Sequence, residues 1–358
     1  MRTLVTLRPP GADEVVLVAE DGYWSEPDDG PIDEAYETHG LWALPGLADA
    51  HAHLSADEMT LTPGDPDEIR RRAFACVQAG VFLALDKGWG DDAVLRLFDE
   101  PPDRRPDLEA AGRMIATPGG YYPGFAEEVD EEQLADAVAR AASRRGGWVK
   151  VVGDWPRRGE GPRVNFSFEA LEAAVRIAHA AGARVAIHTM AREVPSMAVA
   201  AGVDSIEHGL FLTEDDLAAL AGRGGMWVPT LLRMEAVRDE LREGSSGRRL
   251  LGEGLANVAA LLPVAERSGV TVLAGSDLAV PARRVAAEAA RLAEVGLSPV
   301  AAVAAVSHAA FAATGRDVGF RPGLPADAVF FDRDPTEDVG ILGRPALVLR
   351  RGRRVPAD

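Results

Sequence analysis

Between residues 44 and about 315 the chain alternates short apolar runs with Ala/Leu/Glu/Arg-rich stretches of helical period. The runs that predict strands lie at 44–53, 80–86, 112–117, 148–153, 183–189, 204–209, 226–231 and 270–277. Helical patterns such as "FEALEAAVRIAHAAG" and "EDDLAALAGRG" separate them, each ending at a glycine, as helix stops often do. Eight strand-helix units over roughly 250 residues have the size and rhythm of a (β/α)8 TIM barrel, in which chemistry sits at the C-terminal strand ends. The first 40 residues and those after about 322 read instead as short strands and turns. The simplest arrangement is a barrel over 44–321 flanked by a small β-domain that residues 1–43 and 322–358 build together. No tandem repeat or low-complexity linker interrupts it.

Composition narrows the classes. The length of 358 residues and the 47% apolar content suit a globular protein with a sizeable core. A formal net charge of −18 argues against a nucleic-acid partner, whose phosphates most of this surface would repel. No basic-plus-apolar leader opens the chain, and no apolar run reaches the ~18 residues of a membrane span, so a cytoplasmic, membrane-free protein is expected. Cys76 is the single cysteine, which fits a reducing compartment; its helical context "RRAFACVQAG" predicts a buried position without a catalytic partner. Of 38 basic residues only Lys87 and Lys150 are lysine. In a chain that uses arginine everywhere else, those two places draw attention.

Seven histidines are present, and two of them, His51 and His53, stand one residue apart in "ALPGLADAHAHLS". On a strand, residues i and i+2 share a face, so both imidazoles project toward one point, a good start on a transition-metal site. His188 closes the fifth predicted strand, His208 the sixth and Asp277 the eighth, and Lys150 lies within the fourth. Singly, each has an ordinary reading as a core histidine or a helix cap. A barrel gathers all six at one mouth, which chance explains poorly. Lys150, in "WVKVV", is expected to be desolvated, which favours its neutral form. His39, His179 and His308 fall away from this mouth.

These residues resemble the amidohydrolase superfamily, in the subgroup of imidazolonepropionase-like proteins and metal-dependent Xaa-Pro dipeptidases. The resemblance rests on "LPGLADAHAHL", on "VAIHTM" followed by "GVDSIEHG", on "LAGSD", and on "GLPADAVFFDRDP", which is similar to the family's return into a β-sandwich. It implies a distorted barrel and one or two divalent ions, zinc first, with manganese or iron as alternatives. One ion would sit on His51, His53 and Asp277 and another on His188 and His208. Lys150, carboxylated by CO2, would bridge them. It further implies a bridging hydroxide as nucleophile, between ions ~3.5–4 Å apart, with Asp277 as general acid/base.

The chain also departs from the family's pattern. Asp86 is in place after the second strand, but the Thr-Thr run that often precedes it is absent, and "TPGGYYPG" stands where many relatives carry a histidine. Tyr121 or Tyr122 can then donate to a substrate carbonyl, stack on a ring, or simply pack the mouth. The long loop "GDWPRRGEGPRVNFSF" carries Trp155, Arg157, Arg158 and Arg163; an arginine there, Arg163 foremost, can clamp a substrate carboxylate or lie in solvent. The segment "RMEAVRDELREGSSGRRL" reads as a cover for the site or a plain solvated helix. The leading expectation is hydrolysis of a small amide, a dipeptide or an N-acyl amino acid. A cyclic amide, lactone or similar ring is the alternative, and a non-catalytic barrel scaffold a third. The partner expected is a small molecule, with homo-oligomerisation left open.

Overall fold

The computed structural model describes residues 1–56, 65–157 and 161–356. Parallel strands dominate it. One sheet runs in the order Ala126–Glu128, Met114–Ala116, Trp148–Val152, Arg184–Thr189, Ser205–His208, Met226–Val228 and Thr271–Val272, with every neighbour parallel. A second sheet aligns Leu47–Ala52, Val81–Asp86 and Asp107–Ala110, also in parallel. Strands such as "VFLALD" and "WVKVV" are buried at every position, as expected of sheets covered on both faces. The covering helices begin at side-chain caps, Ser167 for Phe168–Ala180 and Thr213 for Glu214–Gly222.

Backbone hydrogen bonds link the two sheets on both sides. Met114 N donates to Trp89 O at 3.1 Å, and Ala110 N donates to Gly146 O, just before Trp148–Val152, at 2.9 Å. On the other side Ala50 N reaches Ala274 O and Asp277 N reaches His51 O, both at 2.9 Å. Asp49 pins the second junction. Fully buried, it accepts from His51 N at 3.0 Å, Ser276 N at 3.0 Å and Ser276 Oγ at 2.5 Å, and burial pushes its carboxyl up to about 6.

Several predicted strands are shorter or divided. Of the run at 112–117 only Met114–Ala116 is strand, and a strand that was not expected, Asp107–Ala110, precedes it across Gly112, which turns at φ +66°. The run at 226–231 stops at Val228, because Pro229 has no amide hydrogen and Thr230 adopts φ +47°. Of 270–277 only Thr271–Val272 is strand; the rest continues as irregular backbone held by single bonds such as Asp277 N to His51 O. The expected loop after the fourth strand carries two antiparallel strands, Asp154–Arg157 and Gly161–Val164. The predicted cover is part of two helices, Leu231–Glu240 and Ser246–Ser268.

The chain ends build two further sheets. Arg2–Leu7, Val15–Glu20 and Tyr23–Ser25 pair antiparallel and Glu34–Tyr36 adds in parallel to Arg2–Leu7, while Trp42–Leu44 joins Ala328–Phe331, Leu347–Arg350 and Arg353–Arg354 in an antiparallel sheet. Val5, Leu17, Trp24, Phe330 and Leu349 share an apolar cluster separate from the main core. No described helix is long and apolar enough to cross a membrane.

Asp49→Ala leaves buried donors of the 47–52 and 276 segments without an acceptor. An unmet buried donor costs about 1–3 kcal/mol, so a loss of about 3 kcal/mol is expected, read as a lower urea midpoint at unchanged slope.

Candidate metal centre

The C-terminal ends of the parallel strands bring His51, His53, Lys150, His188, His208 and Asp277 around one cavity. All six are at most 8% exposed. Four of the six described non-glycine residues with positive φ, His208, Thr230, Asp277 and Leu278, cluster here, so the backbone is held in sparsely populated conformations to aim these side chains.

Hydrogen-bond partners fix which nitrogen of each imidazole faces the cavity. His53 Nδ1 lies 2.6 Å from Gly88 O, which only accepts, so Nδ1 carries the proton. His51 Nδ1 lies 2.5 Å from the Glu207 carboxylate, with the same consequence. Thr230 Oγ1 donates to Pro229 O at 2.8 Å and is therefore an acceptor for His208 Nδ1 at 2.6 Å. The Nε2 atoms of all three rings, when neutral, present bare lone pairs.

Two of those lone pairs, on His51 and His53, converge on an anion. His51 Nε2 and His53 Nε2 lie 3.4 and 3.3 Å from Asp277 Oδ1, and the ligand atoms of the three residues all fall within 4.8 Å of one another. His208 Nε2 faces His188 Nδ1 at 2.9 Å, close to the ~3.3 Å separating two nitrogens bound to one tetrahedral zinc. Lone pairs facing a carboxylate repel unless a cation stands between them. The donor set fits a divalent metal on this ground. Lys150 Nζ, buried beside it without a hydrogen-bond partner, is the kind of orphan such a centre would satisfy.

Electrostatics agree with the geometry. Burial, with the Lys150 charge adding to it, brings His51 down to about 4 and His208 to about 3, so both are neutral at physiological pH. Burial acts to raise Asp277, but positive charge placed at the His51, His53 and His208 rings outweighs it and holds the carboxyl well below the ordinary range. Burial lowers Lys150 to about 8.

The two lysines meet at Glu207. This carboxylate is fully buried and accepts from Ser205 Oγ at 2.6 Å, while Lys87 Nζ lies 3.2 Å from the same oxygen and 4.3 Å from the Trp148 ring centroid. Burial would raise Glu207; the Lys87 and Lys150 charges, with His51, keep it ionised. Lys87 is thus tied to Glu207, whereas Lys150 makes no such pair. Asp86 accepts from Leu54 N at 2.6 Å and Gly88 N at 2.9 Å, fixing the backbone on either side of His53.

Tyr121 and Tyr122 line the cavity together with Trp155. Arg163 does not; it lies on the exposed side of Gly161–Val164, and the guanidinium that lines the cavity is that of Arg233. Arg157 donates to Pro118 O and Thr117 Oγ1, both at 3.1 Å, tying loops together, and Arg158 lies outside the described residues. His39 is exposed, His179 pairs with Asp204 at 2.8 Å on the surface, His308 opens a helix, and Cys76 is buried. Sequence reasoning passed over Glu207, although it adjoins His208 in "SIEHG", and Arg233, which belongs to the segment read as a cover.

The sequence profile of the amidohydrolase family matches residues 42–355. An uncharacterized protein of Mycobacterium tuberculosis is 36% identical over 325 residues, covering 88% of this chain and 85% of its own. An imidazolonepropionase of Salinispora arenicola is 26% identical over 359 residues with the same coverage of each chain. Among solved structures, a Xaa-Pro dipeptidase with methionine in its active site superposes with a TM-score of 0.80 at 19% identity, covering 99% of this chain and all of the other, which establishes likeness of fold.

Two outcomes follow from the centre. Because His51 and His208 sit below the ordinary 6.5, the unfolded chain takes up protons first as pH falls. Their contribution to stability is complete above 6.5 and is lost between about pH 6.5 and 3, so the urea midpoint of metal-free protein falls over that window, less so in His51→Gln. Lys87→Met removes the countercharge of Glu207 and loosens the hold on His51. A loss of about tenfold in zinc affinity is expected, read by chelator competition.

Proposed function

Because this chain belongs to the amidohydrolase family and is a hydrolase of carbon–nitrogen bonds, we propose that it cleaves a small amide, a dipeptide or N-acyl amino acid, at a two-metal centre. One observation carries the reading. Bare imidazole nitrogens and the Asp277 carboxylate converge beside an unpartnered buried lysine. His51, His53 and Asp277 would hold one ion and His188 and His208 the other, with Lys150 spanning them as its CO2-derived carbamate. Zinc suits this N/O set best, with manganese or iron as alternatives. When bound, such ions make water nucleophilic at neutral pH and polarise a carbonyl.

The chain's own groups supply the rest. A neutral amine is needed to add CO2, and burial, which lowers Lys150 to about 8, favours that form. Asp277 turns one oxygen to His51 and His53 and the other to His208, 3.8 Å away. It is placed to take a proton from attacking water and return it to the leaving nitrogen. Tyr121 and Trp155 roof the cavity and restrict water. The same reading closes the parallel strands into a (β/α)8 barrel over 44–321, supported by the Ala50–Ala274 and Asp277–His51 bonds, and makes the terminal sheets a β-sandwich of 1–43 and 322–358.

Metal content per chain tests the centre. Protein grown with zinc and bicarbonate is expected to carry two ions, and Lys150→Ala one or none. One ion in both would return Lys150 to an ordinary core role and move the reading to a one-metal hydrolase of a cyclic amide.

A further inference from the structure

The cavity above the histidines holds a cation that the metal centre does not use. Arg233 lies in the first turn of Leu231–Glu240, partly buried, and lines the cavity together with the aromatic side chains. The start of that helix is fixed by Glu288, which accepts from Leu231 N at 2.6 Å and Leu232 N at 3.0 Å. The helix's nearby acids are taken: Glu235 by Arg291 at 2.7 Å, and Asp239 by Arg238 at 2.9 Å and Arg248 at 3.2 Å. Arg233 itself makes no ion pair or side-chain hydrogen bond with the described residues. A half-buried guanidinium left unpaired in a chain of net charge −18, at the mouth of a reactive cavity, is placed to receive an anion from outside.

The rest of the wall defines what accompanies that anion. Trp155 packs edge-on against Tyr121 and Tyr122, with ring centroids 4.6 and 4.7 Å apart, and its ring reaches to 5.7 Å from His188. An apolar group laid on this wall ends beside the histidine cluster. Among the described residues the acid lining the cavity is Asp277, which faces the histidines. A substrate ammonium finds no counter-ion there.

We propose that the substrate is an N-acyl amino acid with an uncharged, apolar acyl group, its carboxylate held by Arg233 and its acyl group by the Trp155–Tyr121–Tyr122 wall. The assignment rests on the amide-hydrolase reading and narrows it, setting dipeptides with a free amine aside. The hydroxyl of water bonds to the acyl carbon, the C–N bond breaks with its electron pair on nitrogen, and both water protons end on the amine. A carboxylate and an amino acid ammonium leave.

Three compounds of one shape test it on the zinc-loaded enzyme: N-(3-phenylpropanoyl)glycine, phenylalanylglycine, which adds the ammonium, and N-propyl-3-phenylpropanamide, which removes the carboxylate. The first is expected to exceed the other two in kcat/KM by about tenfold or more. Arg233→Met should raise KM for the acid about 10- to 100-fold and leave the neutral amide unchanged, with Arg233→Lys in between. Phenylalanylglycine cleaved as well as the acyl compound, or equal losses for acid and amide in Arg233→Met, would overturn the assignment. If the parent cleaves none of the three, the amide reading fails and calorimetric binding of N-(3-phenylpropanoyl)glycine decides on Arg233. Binding weakened about tenfold in a folded Arg233→Met keeps the carboxylate site, and equal binding removes it.

Discussion

Three imidazoles each have one nitrogen tied down, and this constraint organises the centre around them. A backbone carbonyl, a carboxylate and a threonine hydroxyl fix the protons of His53, His51 and His208 on the side away from the cavity. What remains are the His51 and His53 lone pairs facing Asp277, a pattern of like partial charges that a cation would complete. The cost of assembling that pattern falls on the rest of the fold, and the surrounding strands are buried on both faces and cross-linked by Asp49.

The strained backbone has the same origin. His208, at a strand end, and Thr230, Asp277 and Leu278, in the backbone that follows strands, have positive φ, a conformation that L-residues adopt at a penalty of order 1–3 kcal/mol each. All four come where the chain has stopped continuing the ladder beside the cavity. Glu207 and Lys87 bear a related cost. Two buried charges are paired not to stabilise the core, where an apolar pair would serve as well, but because an ionised Glu207 orients His51.

Much of this was legible in the chain. The alternation of apolar runs and helical stretches predicts parallel strands, and the spacing in "HAH" with the strand-end positions of His188, His208 and Asp277 gathers the ligands, because strand ends share one side of a parallel sheet. What escaped depends on packing between distant segments. Arg163 and Arg233 are equally plausible clamps on paper; one lies on an exposed strand and the other in a helix whose start is anchored by Glu288, 57 residues from Leu231. Glu207 was hidden by its neighbour, since a strand residue one place before a ligand points away from it. Its partner is Lys87, one of the two lysines that composition had already singled out.

That economy of lysine has a practical side. Lys87 and Lys150 are 1% and 2% exposed, so no side-chain amine of this protein is available at its surface. Enzymes that acetylate, methylate or ubiquitinate surface lysines meet no target on the folded chain, and amine-reactive dyes or cross-linkers are confined to the α-amino terminus. Acylation or dye labelling of a lysine here, as distinct from addition of CO2 to Lys150, reports that the interior has opened.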